Sequence, residues 1–292
     1  MKRKGYVLVI TLIIISILLI LATSILKIGA NRANSLKNLE DHAQAEYIPE
    51  SVVNIIFGEY IGELEKFYED NYGSLREKME LPFDFSPYFD ADITATIRRD
   101  PAFNYNKFLI KVTSNYKGIT TRCTASGEDI NSIYLDKKGI SLEDPDNLNI
   151  FKFYEPIKFS NFHVKNDSEI KVDGNYIVIT DIESGHTVAK FLKYQAVSIV
   201  NDSKLIFKDS INLLGIFINN GDIENEFDFN LTGFIVDFSD KSQNITVRGS
   251  AAYYKKPKKL IYNFNELKKF RIDLPKYFNF KLEKITTSDL VN

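Results

Sequence analysis

The pattern of hydrophobic and polar positions divides the chain into an apolar N-terminal run, an amphipathic continuation and a long region of short apolar runs separated by turn residues. Residues 6–26 carry no charge. Apart from the phenol of Tyr6, the polar side chains among them are four hydroxyls, those of Thr11, Ser16, Thr23 and Ser24. A helix of about 21 residues rises roughly 31 Å, which matches a bilayer core of about 30 Å. Because backbone polar groups in lipid must be bonded internally, a transmembrane helix is predicted over residues 6–28.

Three basic residues, Lys2, Arg3 and Lys4, precede the apolar run. By the positive-inside rule they hold the N-terminus in the cytoplasm, so the rest of the chain is expected outside after a single membrane pass. A secretory signal peptide fits poorly, because its apolar region spans about 7–15 residues and ends in a small-residue cleavage site. Here the run is longer, and Ala22-Thr23-Ser24 lies inside it. The sequence therefore predicts an anchor in the cytoplasmic membrane.

Residues 29–73 are predicted to continue the N-terminal helix. The first part is polar, and Val52, Val53 and Ile56 then begin an apolar stripe with the 3.6-residue period of a helix that packs on a core. Pro49 has no backbone N–H, so a kink is expected there. We expect the second half of this helix to pack onto a folded domain.

Residues 74–130 are predicted to form a small antiparallel sheet. Period-two alternation marks Ile93–Arg99, Phe108–Asn115 and Thr120–Ser126 as strands, and a turn at Tyr116-Lys117-Gly118 joins the last two. The following residues, 131–158, are rich in turn residues and are predicted to be a linker.

Three segments of the predicted β-rich domain, residues 159–292, share a repeat in which a glycine is followed by three small or apolar residues. Their glycines, Gly215, Gly233 and Gly249, lie 18 and 16 residues apart, and residues 170–179 look like an earlier, degenerate copy. Repeats of this length favour a solenoid-like stack of coils, and the alternative is an antiparallel sandwich. The predicted fold class is α+β, with a long N-terminal helix, a small sheet and this β-rich C-terminal domain.

The composition limits the chemistry that the chain can do. Lysine and arginine number 37 against 39 acidic residues, a formal net charge of −2, which argues against nucleic acid as a partner. Cys123 is the single cysteine, so no intrachain disulfide can form, and it is expected to be a small core residue. The basic run at residues 255–259 is expected to be a solvated loop, with contact to an anionic polymer as the alternative.

No catalytic or metal-binding motif is visible in the sequence. The histidines lie far apart and without metal-ligand spacing, at His42, His163 and His186. Two aspartate pairs flank turns, Asp144 with Asp146 and Asp237 with Asp240. Close carboxylates can bind Ca²⁺ or hydrolyse glycosides, but turn aspartates far more often cap the backbone. The chain is therefore predicted not to be an enzyme and to use no cofactor or metal ion.

The start of the chain, Lys2-Arg3-Lys4-Gly5-Tyr6-Val7-Leu8-Val9, resembles the signal of type IV prepilins. In that family a short basic leader ends in glycine, a dedicated membrane peptidase cuts after it, and the new N-terminal aromatic residue is methylated. The resemblance implies a leader over residues 1–5 and processing between Gly5 and Tyr6. The basic leader would hold the cleavage junction at the inner face of the membrane, while the apolar helix stays embedded in the bilayer.

Two further features extend this resemblance over roughly residues 1–55. Ala43-Gln44-Ala45-Glu46 resembles the small-small-Glu pattern that closes the N-terminal segment of PilX-type minor pilins. Major pilins carry Glu at the fifth mature position, which is Ile10 here, and its loss is associated in the family with filament-tip subunits. The resemblance implies a minor pilin or pseudopilin whose partners are the prepilin peptidase, membrane lipid and other pilins. It would lie in the cytoplasmic membrane and, after assembly, in a pilus at the cell surface.

Two alternatives from other functional classes stay open. One is an uncleaved, signal-anchored surface protein whose β domain binds cell-wall or host glycan. The other is an anchored enzyme acting on polysaccharide, which predicts a carboxylate cluster along one exposed face of the β-rich domain; this rests on fold analogy alone.

Overall fold

In the computed structural model, the described residues are 3–75, 77–99, 107–154, 156, 160–241 and 243–289. For the first helix, the surroundings of the side chains are described from residue 8 onward. The chain divides into unit 1, Met1–Gly127 with Leu282–Asn292, and unit 2, Glu128–Lys281. The predicted linker thus belongs to unit 2, and the last residues of the predicted C-terminal domain group with unit 1.

Helices dominate the N-terminal part of the chain. Among the described residues, the α-helices are α1 (Arg3–Gly58), α2 (Ile61–Asn71), α3 (Pro145–Phe151) and α4 (Phe264–Leu267), and 3-10 helices cover Ser132–Leu135 and Lys268–Asp273. The apolar run therefore continues into a much longer helix, as predicted. The chain stays helical through Pro49, and its interruption lies at Glu59 and Tyr60.

A side chain of the neighbouring sheet compensates for Pro49. In a continuous helix the N–H of residue 49 bonds to the carbonyl of Ala45, and proline has no N–H. The hydroxyl of Thr121 donates to this carbonyl at 2.7 Å. Ser114 Oγ lies 3.0 Å from Thr121 Oγ1 and acts as the donor, since the proton of Thr121 is already engaged. The buried carbonyl is satisfied, so the helix can pass through the proline inside the core.

The strands are numbered in chain order. They are β1 (Met79–Glu80), β2 (Asp92–Arg99), β3 (Lys107–Tyr116), β4 (Ile119–Ile130), β5 (Ile140–Ser141), β6 (Ser160–Val164), β7 (Ser168–Asp173), β8 (Tyr176–Asp181), β9 (Thr187–Leu192), β10 (Ala196–Asn201), β11 (Lys204–Phe207), β12 (Ile211–Asn219), β13 (Asp222–Asn225), β14 (Phe229–Asp237), β15 (Ile245–Tyr253), β16 (Lys259–Tyr262) and β17 (Phe278–Asp289). Together with α1, they confirm the predicted α+β class.

The first sheet has the strand order β1-β2-β3-β4-β17. β2 and β3 pair antiparallel from Asp92↔Asn115 to Arg99↔Phe108, which confirms the predicted small antiparallel sheet. Buried residues alternate along β3 with partly exposed ones, as expected for a sheet with one covered face. The rings of Phe57 in α1 and Phe108 lie 5.7 Å apart, so α1 covers the buried face. The core of unit 1 therefore lies between α1 and this sheet.

The described residues of unit 2 form two further sheets. One has the order β16-β15-β14-β12-β10-β6, with β5 also paired to β15, and the other has the order β13-β11-β7-β8-β9. From β10 to β14, consecutive strands alternate between the two sheets. Within the described residues, neighbouring strands in the first of these sheets are all parallel, so the antiparallel sandwich is wrong for this region. A solenoid-like stack requires parallel neighbours of this kind.

The glycine repeat has a steric cause. Gly215, Gly233 and Gly249 pair directly with one another across β12, β14 and β15, with φ of 143°, 143° and 145°. A Cβ added to Gly215 would lie 1.8 Å from the carbonyl oxygen of Val197, and one added to Gly233 would lie 2.0 Å from that of Gly215. Each strand thus approaches the next too closely for a side chain at this position.

The predicted degenerate copy of the repeat is wrong. Residues 170–179 form the antiparallel pair β7 and β8, joined at Gly174, which has φ of 57°. In the ladder of parallel strands, Val197 of β10 occupies the position next to Gly215. An isolated turn glycine and a ladder glycine are alike in sequence, because both are followed by apolar strand residues.

The segment 131–158 does more than connect two modules. Tyr134 and Phe151 are fully buried in unit 2, and the ring of Tyr134 lies 5.8 Å from that of Phe234 in β14. Its hydroxyl donates to the carbonyl of Pro275 at 2.6 Å. Phe234 therefore packs under aromatic side chains on one face of the sheet, while Leu231 and other residues of β14 pack into the core between the sheets.

Candidate membrane and assembly surface

The first half of α1 presents an uncovered apolar surface. Between Leu8 and Leu26 the large hydrophobic side chains are 41% to 72% exposed, and Ile10 is the least exposed of them. Among the described helices, α1 is the one long and apolar enough to cross a membrane by length and composition. This surface fits insertion into a membrane, because single exposed apolar residues are ordinary but an apolar patch of this size is not.

The few polar side chains of this half are satisfied within the helix. The hydroxyl of Ser16 donates to the carbonyl of Leu12 at 2.8 Å. Thr23 and Ser24 both donate to the carbonyl of Ile20, at 2.9 and 2.7 Å. A lipid environment offers no partner for a free hydroxyl, so these internal hydrogen bonds are what such an environment requires.

The second half of α1 is buried against unit 1's own sheet. Ala45, Ile48, Val52, Val53 and Ile56 are each at most 3% exposed. On the same helix, Leu36, Leu39 and Tyr47 remain exposed. One continuous helix therefore changes from an uncovered apolar surface to a core element at about residue 45.

The hairpin between β3 and β4 holds the helix where this change occurs. Lys117, at the turn, forms a 2.6 Å ion pair with Asp41, and that hydrogen bond raises the pKa of Lys117. The hydroxyl of Tyr116 donates to Gln44 Oε1 at 2.9 Å. The polar contacts thus fall in the turn of α1 just before its buried stripe begins.

The residues predicted for processing lie at the start of α1. Gly5 and Tyr6 are helical, and the surroundings of their side chains, like residue Lys2, lie outside the described part of the chain. The Ala43–Glu46 segment lies at the transition in α1, where Ala45 is buried and Gln44 accepts from Tyr116. Processing after Gly5 stays a prediction.

The residues considered for catalysis or metal binding are not brought together. His42 and His186 are exposed, and His163 is half-buried in β6. Within the described ranges, no group of three or more His, Cys, Asp or Glu side chains could hold a metal ion. Cys123 is fully buried, and burial is the main cause that raises the pKa of its thiol to about 11. A thiol with this pKa is protonated at neutral pH, as expected for a core cysteine.

One aspartate of each predicted pair accepts a hydrogen bond from the backbone, as expected for turn aspartates. Asp144 accepts from the N–H of Asp146 at 3.0 Å and caps α3. Asp237 accepts from the N–H of Ser239 at 3.2 Å and from Asn219 Nδ2 at 2.8 Å. Asn219 in turn accepts from Asn201, so buried amides and a carboxyl form a ladder along the parallel strands.

Two polar arrangements have weak sequence signals. The buried ladder could have been found from its 18-residue spacing, which matches that of the first two glycines. A group of four basic side chains, Lys78, Arg98, Lys111 and Arg122, meets on one face of the unit 1 sheet. These four residues come from separate segments of the chain, so no local sequence motif indicates that they meet.

Comparison with known proteins adds one structural likeness. No protein-family model matches the chain, and no curated protein matches it significantly. Among solved structures, the chain is similar to the competence-associated pilin ComZ from Thermus thermophilus. Identity is 10% and the TM-score is 0.28, over 85% of this chain and 98% of that chain. A TM-score of this size does not indicate a shared fold, so the pilin resemblance rests on residues 1–55 of this chain.

Proposed function

We propose that the protein is a minor pilin or pseudopilin of a type IV pilus-like machine. The observation that carries this proposal is the division of α1 into an uncovered apolar half and a half buried on an antiparallel sheet. A pilin helix needs both halves. The first lies in lipid and afterwards packs against helices of other subunits, while the second fixes it to the domain that faces outward.

The prepilin peptidase is proposed to cut between Gly5 and Tyr6. The basic leader, the glycine and the apolar run that follows support this site. Tyr6 then becomes the N-terminus and is methylated. Cleavage removes three cationic side chains, which favours extraction of the mature helix from the cytoplasmic face of the membrane.

The proposed position in the filament is near the tip. Ile10 becomes the fifth residue of the mature chain. A carboxylate buried among apolar helices is stabilised only by a partner charge, such as the terminal amine of a neighbouring subunit. Isoleucine forms no such ion pair. This subunit therefore does not depend on the terminal amine of a neighbouring subunit, as a repeating subunit of the filament shaft would. Unit 2, with its two sheets, belongs to the part outside the membrane.

Intact mass and N-terminal sequencing of the protein from its native membrane test the proposal. A chain that begins at Tyr6, with or without a methyl group, is expected. A chain that begins at Met1 or Lys2 contradicts prepilin processing. That result favours the uncleaved surface protein, and the binding of cell-wall or host glycan by unit 2 should then be measured.

A matched pair of variants sharpens this test. Gly5→Ala is expected to leave the chain uncut and absent from pili. Gly29→Ala makes the same chemical change in the same helix, at a position where an added Cβ meets no atom within 4 Å. This control should be processed normally. Equal processing of both variants would contradict the assignment of Gly5 as the residue that precedes the cleavage site.

A further inference from the structure

The outer face of the unit 1 sheet carries a hollow of about 390 Å³ lined by four basic side chains. Lys78 precedes β1, Arg98 lies in β2, Lys111 in β3 and Arg122 in β4. Thr124 and Ser288 add hydroxyls to the wall. The neighbouring residues Val112, Thr121 and Cys123 are buried on the face that packs on α1. Because side chains alternate along a strand, Lys111 and Arg122 point to the opposite face.

The positive charge of this hollow is not neutralised within the described residues. None of its four basic side chains forms an ion pair within 4.0 Å of an acidic group there. Arg122 Nε is buried and has no hydrogen-bond partner in the described part. Burial lowers the pKa of Lys111, and repulsion from Arg122, Lys78 and Arg98 lowers it further. Mutual repulsion of this kind destabilises the empty hollow and is relieved by an anion.

None of the described residues that line the hollow is acidic. Glu80 is paired in register with Thr96 at the exposed edge of the sheet. Glu46 shares a separate hollow of about 150 Å³ with Arg122. Thr96, which does line the larger hollow, donates its hydroxyl to the carbonyl of Lys111 at 3.2 Å. Among the described residues that line the larger hollow, the charged side chains are therefore all basic.

We propose that this hollow binds a phosphate group, either a soluble phosphate ester or the headgroup of an anionic lipid. Two guanidinium groups and two ammonium groups attract the negative charge of phosphate, and an arginine fork can bind two of its oxygens at once. The volume is in the lower range of small-ligand sites, so it suits one phosphate-bearing unit. Thr124 and Ser288 can donate to the remaining oxygens.

The test titrates inorganic phosphate into the full-length protein in a neutral detergent at low salt, followed by calorimetry. Saturable binding is expected, and Lys111→Met and Arg122→Gln should each weaken it roughly 10-fold or more, since each removes a hydrogen bond to a charged group. Lys193→Met is the matched control, because it makes the same charge change as Lys111→Met at an exposed residue of unit 2. The control should bind phosphate like the wild type.

Two outcomes overturn the proposal. One is the absence of saturable binding by the wild type, and the other is an equal affinity of Lys111→Met, Arg122→Gln and the control. If Lys111→Met and Arg122→Gln fail to fold, the exposed Arg98→Gln replaces them, with the same expected loss and the same contradicting result. Circular dichroism and the melting temperature report folding for every variant.

Nanodiscs distinguish the two sources of phosphate. A lipid headgroup in the hollow should make inorganic phosphate bind more weakly in phosphatidylglycerol discs than in phosphatidylcholine discs. Equal, saturable binding in both indicates a soluble ester. No binding in phosphatidylcholine discs contradicts the proposal. None of these results depends on processing at Gly5, so failure here leaves the proposed function intact.

Discussion

The sheets of units 1 and 2 are buried in different ways. In unit 1, residues of β3 alternate strictly between a face covered by α1 and a face that carries the basic hollow. In unit 2, the second half of β14 is buried without alternation, because Phe234 and its neighbours are covered from both sides. A period-two pattern is therefore informative where one face is open, and a parallel sheet covered on both faces conceals it.

The two units also solve different backbone problems. In unit 1, Pro49 leaves a helix carbonyl without a partner, and the hydroxyl of Thr121 supplies one. In unit 2, a carbonyl oxygen of one strand occupies the space that a Cβ on the next strand would need. Glycine has no Cβ, so it can occupy this position. The first solution needs one particular hydrogen bond. The second needs the absence of a side chain, so it is the harder one to replace.

The largest expected effect is that of Gly233→Ala. The new Cβ would lie 2.0 Å from the carbonyl oxygen of Gly215, and a φ of 143° is unfavourable for alanine. Backbone shifts and strain should together lower the free energy of unfolding by roughly 3 kcal/mol or more. Thermal unfolding of the purified protein measures this.

Gly174→Ala is the control for that substitution. Gly174 also has a positive φ, of 57°, but an added Cβ meets no atom within 4 Å. The expected loss is only about 1 to 2 kcal/mol, from the left-handed backbone alone. If both variants lose the same stability, close approach of the strands is not the reason for the glycine repeat.

A smaller effect is expected in unit 1 for Thr121→Val. This change keeps the shape but leaves the buried carbonyl of Ala45 without a donor, which should cost about 1–3 kcal/mol. In a Pro49→Ala background, the backbone N–H of residue 49 can bond to that carbonyl, so the same substitution should cost less. A double-mutant cycle by urea unfolding measures the difference. Additive effects would contradict the proposed compensation.

The smallest expected effect is on the pH dependence of stability, through Asp237 in unit 2. Burial raises the pKa of Asp237 above its usual value, outweighing the hydrogen bonds from Asn219 and Ser239 that lower it. The folded state then binds more protons than the unfolded state, so this residue makes stability fall as the pH rises from about 4 through the folded pKa. Asp237→Asn should flatten that part of the stability profile.

Asp240→Asn provides the comparison, since Asp240 is exposed three positions further along the chain. Its stability profile from about pH 4 upward should follow that of the wild type, apart from the loss of one surface charge. Identical profiles for both variants would show that Asp237 is not the source of the slope. Melting temperatures measured in a series of buffers are sufficient for this comparison.

The sequence was sufficient to predict the apolar helix, its polar continuation and the antiparallel strands β2 and β3. These features depend on local periodicity and on the length of the uncharged run, both of which are properties of contiguous residues. It also revealed the glycine repeat, although it could not distinguish Gly174, at a hairpin turn, from the ladder glycines. Gly5 and Tyr6 stay predictions from the sequence.

The other features of the fold and of the basic hollow could be seen only in the folded chain. The pairing of β17 with β4, the burial of Tyr134 in the predicted linker and the meeting of Arg98, Lys111 and Arg122 depend on contacts between distant segments. The passage of α1 through Pro49 depends on Thr121, which lies 72 residues further along the chain. Such contacts leave no local pattern, because loop closure allows many partners for each strand and packing selects among them.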